Sequence, residues 1–428
     1  MIVTSLDPVR IADGDLWVEG GRIAPPGRGT RIDTDGVFAV PGNVCAHTHL
    51  YSALARGMPY ALESPRNFLQ ILQRVWWRLD RALDDETIRA SALVGGMEAL
   101  LSGTTTLVDH HASPNAIDGS LDVIEEALRS VGVRSVLCYE TSDRDGAERA
   151  AAGIAENRRF LERVRREEAP LVRAMVGAHA SFTLSDETLA ECADLGPLHV
   201  HAAEDGVDTG AVSRLAALGA LGEHTLLAHG VHLGDEELGL VLEANATLAH
   251  NARSNMNNAV GRARVGRLGE RLALGTDGIG CDMFEESRAA YFRLREDDVG
   301  ADIAWPLVRL AESARLAGRI FGEPLFGALE PGAPADLVVL DYAAPAPVRD
   351  SSFAGHWVFG LSSRAVRDVM VAGEWVVRDR RLALVDQDEL AVSARADAER
   401  LWRRLDDIPP HLFEPKGERP WPSRLVTA

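Results

Sequence analysis

The sequence predicts an α/β protein: a (β/α)8 TIM barrel with a small composite β-sandwich domain formed by both chain ends. Three features predict it. Eight short apolar runs alternate with helix-like stretches between residues 38 and 325, the mark of βαβ units around a parallel sheet. Glycine-broken segments with period-two alternation occupy both termini. The 428 residues also exceed one barrel of about 250–300 residues by enough for a smaller unit.

Residues 1–37 open with Asp15-Leu16-Trp17-Val18-Glu19 and Gly20-Gly21-Arg22-Ile23, which read as short strands. They are assigned to the sandwich together with residues 326–385. The barrel, residues 38–325, takes strands at 38–44, 105–109, 134–139, 172–178, 198–202, 225–228, 246–249 and 272–276. Its helix patterns include 85–101, 120–130, 147–167, 185–195 and 208–218. Segments 335–340, 366–371 and 372–377 return to the terminal style, the last pair as a hairpin. Residues 386–428 carry a helix over about 387–405, then a tail with Pro409, Pro410, Pro415, Pro420 and Pro422. That tail is expected to be loosely ordered.

Composition removes several functions. Acidic residues outnumber basic ones by 64 to 45, a formal charge of −19, and no basic patch interrupts them. Such a surface repels phosphate backbones, so no nucleic-acid partner is expected. The chain has no apolar run of about 18 residues, and a membrane span is not expected. Its N-terminus lacks the basic-then-apolar pattern of a secretory signal. Cys45, Cys138, Cys192 and Cys281 are scattered without CxxC spacing, which favours reduced thiols and a cytoplasmic location. The only lysine is Lys416. A P-loop, a Schiff base and a lysine carbamate bridging two metals each need a lysine inside the catalytic domain. A metal site here is therefore expected to be mononuclear.

Of 13 histidines, 11 lie between His47 and His250, several at strand C-terminal ends, where barrels build their sites. His47 and His49 lie two apart on an extended segment and point the same way, so both imidazoles can hold one ion. His201 ends the fifth strand and supplies a third nitrogen. Asp277, after the eighth strand, supplies a carboxylate, although an aspartate before glycine is also an ordinary helix cap. Glu204 faces the same space. His229, ending the sixth strand, is a candidate for orienting a hydroxide. His199 reads as a core histidine below His201 or one that supports a ligand from behind, and His232 as a loop residue. Three nitrogens and one carboxylate suit a divalent ion, Zn2+ first, with Fe2+ or Mn2+ also accommodated.

HxH on strand one, HxxE on strand five, His on strand six and Asp on strand eight together resemble the amidohydrolase superfamily. The likeness is to its mononuclear ATZ/TRZ-chlorohydrolase-like deaminase branch, within it to SsnA-type aminohydrolases. Pro41-Gly42, Leu54-Ala55-Arg56-Gly57 and Gly177-Ala178-His179-Ala180-Ser181-Phe182-Thr183 agree with the branch. The SsnA likeness rests on Trp76-Trp77-Arg78-Leu79-Asp80, Asp109-His110-His111-Ala112-Ser113-Pro114, Asn251-Ala252-Arg253-Ser254-Asn255 and Gly275-Thr276-Asp277-Gly278-Ile279-Gly280. The resemblance implies His47, His49, His201 and Asp277 as metal ligands, and Glu204 as the acid protonating a ring nitrogen. It implies His229 as the holder of a metal-bound hydroxide and His179 as a substrate contact. A homodimer is common among such proteins. One departure is visible: deaminases of adenosine derivatives carry a glutamate near the end of the helix after strand one, and Arg78-Leu79-Asp80-Arg81 has none.

The expected activity is hydrolytic deamination of a purine- or pyrimidine-type heterocycle, with ammonia released. Ring-opening hydrolysis of a cyclic amide at the same site is the alternative, and a non-catalytic binding role the third. Asn251, Arg253, Ser254 and Asn255 follow strand seven and offer donors for carbonyls of an oxidised ring, with Arg253 and Asn255 taken as substrate contacts. A buried salt bridge from Arg253 to Asp109 or Glu204 is equally open. One of His110 and His111 is expected to point inward. Trp76 and Trp77 read as core or subunit-interface residues, and Cys45 and Cys281 as packing.

Overall fold

The computed structural model describes residues 1–60, 62–167 and 169–415. Lys416, Pro420 and Pro422 lie outside the described residues. Eight parallel barrel strands follow the predicted apolar runs: Asn43–Thr48, Thr104–His111, Arg134–Tyr139, a fourth split at Met175 into Val172–Ala174 and Val176–Ala180, then Leu198–Ala202, Leu226–His229, Thr247–His250 and Leu272–Leu274. Strands one to four pair in order, as do strands four to eight. A parallel bridge between Thr48 and Asp277 joins the last strand to the first. At this seam the His47 carbonyl accepts from the Thr276 and Asp277 amides, at 2.9 and 3.0 Å.

Helices cover the barrel where the 3.6-residue pattern places them, including Asp85–Leu101 and Ala147–Glu167. The first of these starts at a capping box, with the Asp84 carboxylate and the Thr87 side chain each serving the other's amide.

The first barrel strand begins later than the sequence suggests. Phe38–Pro41 pairs antiparallel with Leu337–Leu340 and, through Ile2–Ala39, parallel with Ile2–Leu6, so it belongs to the terminal sheet. The chain crosses into the barrel at Gly42, where a Cβ would collide with the Thr105 side chain. The terminal sheet has seven strands, to which residues 1–12, 38–41 and 337–382 contribute. A three-stranded sheet of Arg22–Ile23, Leu16–Glu19 and Thr30–Ile32 packs on it. Between them Ile2, Leu16, Val18, Ile32, Leu337 and Met370 form a separate apolar core. Arg134, opening barrel strand three, makes a two-pronged ion pair with Asp336 at 2.9 and 3.0 Å, tying the two cores together.

The C-terminal helix runs Gln387–Asp406. The segment beyond it is packed as far as it is described, against the expectation of looseness. The His411 amide donates to the Gln73 carbonyl at 2.8 Å, and the His411 and Phe413 rings stand against Trp77 at 5.2 and 5.8 Å. Among the described residues no helix is long and apolar enough to cross a membrane.

Candidate metal and active site

The C-terminal ends of the strands bring the predicted ligands together. His49 Nε2 lies 3.1 Å from both Asp277 Oδ1 and His201 Nε2, and His47 Nε2 lies 3.7 Å from Asp277 Oδ1. Adjacent donors 2.0–2.1 Å from a cation stand about 3–4 Å apart, so these three spacings suit ligands of a common ion. Each imidazole is aimed from behind. His49 Nδ1 donates to the His110 carbonyl and His201 Nδ1 to the His179 carbonyl, both at 2.6 Å. His47 Nδ1 meets His199 Nε2 at 2.9 Å, which gives the deeper histidine its expected supporting place. Such outer contacts set the tautomer and orientation of a ligand. Among the described residues His47 Nε2 is buried without a hydrogen-bond partner, an arrangement costly unless something binds it.

Electrostatics agree with that fit. Burial, then the neighbouring imidazoles, hold His47 and His201 well below the usual histidine range, as neutral donors. Burial opposes charge on His49 as well, yet the Asp277 carboxylate prevails and raises it to about 9. Positive charge is therefore favoured at this point. Asp277 is itself held below the carboxylate range: burial opposes this, but contact with His49 outweighs it. Ser254 Oγ donates to its Oδ2.

Glu204 and His229 complete the group. Glu204, His229 and Asp277 offer atoms within 4.8 Å of one another, and His229 Nε2 lies 3.6 Å from Glu204 Oε2. Burial, then the charge of Asp277, push Glu204 well above the ordinary glutamate range, which favours its protonated form. His229 and Asp277 both sit in the left-handed region, φ +78° and +53°. This is uncommon for non-glycine residues and recurs at functional sites.

The remaining candidates divide. His179 lines the pocket. Asn255 does not; its Oδ1 accepts from His229 Nδ1 at 2.8 Å, so it orients that histidine. Arg253 lies outside the pocket too. Its Nε donates to Glu286 at 2.6 Å and its Nη1 to Glu285 at 2.9 Å, rather than to Asp109 or Glu204. Glu286 is a fully buried carboxylate on the neighbouring helix, and it needs that countercharge. His110 turns inward, Nδ1 3.2 Å from Glu140 and Nε2 3.1 Å from the His199 carbonyl. His111 bonds Ser113 Oγ at 2.9 Å, and His232 a loop carbonyl at 2.6 Å. All four cysteines are buried thiols.

Several lining residues escaped the sequence reading. Trp76 and Trp77 form part of the pocket wall with Tyr51, Phe68 and Phe182. The helical stretch that carries them is interrupted by a π-helical turn at Leu72–Trp76, a feature frequent at functional sites. Asn258 Nδ2 reaches Glu204 Oε1 at 3.4 Å. Glu140 lines the pocket as well and belongs to a buried chain: Arg144 donates to it at 2.7 Å and also to Asp80. Asp80, in the stretch that lacks the adenosine-reading glutamate, is thus spent on Arg144 and does not line the pocket.

The Amidohydrolase family model matches residues 38–376. The chain is 31% identical over 385 residues to a 5'-deoxyadenosine deaminase of Methanopyrus kandleri, covering 85% of this chain and 86% of that protein. It is 31% identical over 422 residues to a 5-methylthioadenosine/S-adenosylhomocysteine deaminase of Desulforudis audaxviator, covering 91% and 95%. Among solved structures it is similar in fold to an adenosine deaminase from Xanthomonas campestris with bound zinc. The TM-score is 0.79 at 24% identity, over 95% of this chain and 97% of that one. Atrazine chlorohydrolase TrzN from Arthrobacter aurescens, complexed with zinc, gives 0.76 at 22% identity, over 93% and 98%.

Proposed function

This chain belongs to the amidohydrolase family, and from that premise we propose that it deaminates an aminated purine- or pyrimidine-type heterocycle by hydrolysis, with zinc as its ion. The observation that carries the reading is the placing of Glu204 and Asp277 with oxygens within 4.8 Å of each other, the first pushed up by burial and the second held down by His49 against burial, as suits an acid and a base at one spot. His47, His49, His201 and Asp277 would hold the cation, whose Lewis acidity brings the pKa of a water toward neutrality.

The residues then divide the proton work. The Asp277 carboxylate accepts the proton of the attacking water, steadied by Ser254. Glu204 gives its proton to the ring nitrogen next to the amino-bearing carbon and makes that carbon electrophilic. His229, fixed by Asn255, holds the attacking oxygen in line. Asp277 passes its proton to the departing amine; the C–N bond breaks, ammonia leaves, the ring keeps the water oxygen as a carbonyl, and that oxygen's remaining proton returns to Glu204. The aromatic wall of Tyr51, Phe68, Trp76, Trp77 and Phe182 suits a flat ring. The relatives named for adenine-bearing nucleosides support the reaction class, and the buried thiols support a cytoplasmic location.

An ammonia-release screen across aminopurines and aminopyrimidines tests this, with product masses read alongside. Deamination keeps the ring, whereas ring opening adds water without releasing ammonia. Glu204→Gln is expected to keep one divalent ion per chain by metal analysis and to lose about 10²–10⁴-fold in kcat. Near-normal turnover by that variant removes Glu204 from the mechanism.

A further inference from the structure

We infer that Glu140 reads the substrate: with His179 it forms a two-acceptor edge selecting a heterocycle that presents N–H groups there, against one presenting a carbonyl or an anionic substituent. The inference rests on the deaminase reading of the same pocket and names the chemistry that pocket takes.

Glu140 follows the third barrel strand and lines the pocket, with only 4% of its side chain exposed. Hydrogen bonding assigns the tautomer of His179 beside it. The Thr183 hydroxyl donates to the Ala180 carbonyl at 3.0 Å, so it can only accept from His179 Nδ1, at 2.7 Å. The proton is thus on Nδ1, and Nε2 presents a lone pair. That nitrogen stands 3.9 Å from Glu140 Oε1, too far for a bond between them. One N–H-bearing group placed between can reach both.

The carboxylate has capacity left and little freedom. Arg144 takes one position on Oε1 and His110 faces Oε2, while a carboxylate accepts at about four. Arg144 is anchored in turn by Asp80 and, at 3.4 Å, by Asp145, so the acceptor cannot swing away. Among the described residues no lysine or arginine lines the pocket, whereas Glu140, Glu204, Asp208 and Asp277 do. A phosphate or carboxylate on the substrate would find no guanidinium or ammonium to pair with among these lining residues. Of the donors the sequence offered for ring carbonyls, Arg253 is committed to Glu286, and Asn255 lies outside the pocket lining, where it orients His229.

The two probes are 2,4-diaminopyrimidine, with an amino group at position 2, and cytosine, with a carbonyl there and a hydrogen on the adjacent N1. The metal-loaded wild type is expected to favour the diamine at least tenfold in kcat/KM, the low end of what a hydrogen bond to a charged group supplies. Glu140→Gln is expected to cut that ratio at least tenfold. If Glu140 only braces Arg144 and His110, the variant lowers both rates together and the ratio stands, which overturns the inference. A wild type that prefers cytosine overturns it too, and this decides the matter even if Glu140→Gln fails to fold. Calorimetric binding of the same probes separates the two readings. A preference lost in Glu140→Gln without ammonia from any probe sinks the deaminase reading and sustains this one. Binding of neither probe, or of both alike, sinks this one.

Discussion

Arg144→Met isolates the buried charge chain. The exposures of Arg144, Asp80 and Glu140 side chains are 2%, 1% and 4%, so removing the guanidinium strands two carboxylates in the interior. The methionine keeps apolar bulk against Trp77, over whose ring the guanidinium sits at 5.4 Å. Breaking a buried pair from one side costs about 3–5 kcal/mol. At about 2.1 cal/mol/K per residue, unfolding all 428 residues carries about 0.9 kcal/mol/K, so Tm falls by about 3–6 °C. The loss grows with pH. Burial already raises Asp80 to about 7 despite Arg144, and without the guanidinium its carboxyl is pushed higher still, so a rising pH costs more to ionise it. Calorimetry at pH 6 and pH 8.5 reads both effects. Asp80→Asn added to Arg144→Met removes one stranded charge and recovers part of the loss. A Tm within about 1 °C of wild type at both pH values would falsify the assignment of these ions as a mutually dependent set.

Asp109 is fully buried, with Oδ1 accepting the Leu50 amide at 2.7 Å and Oδ2 unpartnered among the described residues. Burial raises its pKa from 3.8 to about 7. A folded-state pKa above the unfolded value means stability present at low pH and lost as pH climbs from about 4 through about 7, on the order of 4 kcal/mol. Asp109→Asn keeps the amide acceptor and deletes the charge, so its stability curve should lie flatter than wild type across that window; parallel curves would refute the attribution. Gly42→Ala forces a methyl into Thr105 and is expected to cost about 1–3 kcal/mol. Gly42→Ala with Thr105→Ala is expected to cost less than the two separately in urea unfolding, and simple additivity would show that the contact is not the cause.

Much of this was legible because chemistry restricts the choices. Few residue types bind divalent ions, and strand tips are where a barrel displays them, so His47, His49, His201 and Asp277 stood out. A continuous apolar run carries no sign of where one sheet hands over to another, which hid the transfer from Phe38–Pro41 to Asn43–Thr48 across Gly42. A π-helical turn leaves no mark in a 3.6-residue pattern, so Trp76 and Trp77 read as core. Glu140 had no local signal at all; its meaning comes from Asp80, Arg144 and His179, distant in sequence. Arg253 was drawn to Glu286, 33 positions on, a pairing that only the packing of two helices decides.

The seam between the first and eighth strands has a temporal consequence. Asp277 is added 229 residues after Thr48, whose hydroxyl accompanies the joint by donating to the Asp277 carbonyl. A nascent chain therefore exposes its first two imidazoles long before their acidic counterpart has been made, and no amino-terminal fragment that stops short of Asp277 carries the full quartet. A cation that bound only the finished ring would also favour it by mass action, so the residues proposed to run the chemistry would double as the clasp that keeps the cylinder shut.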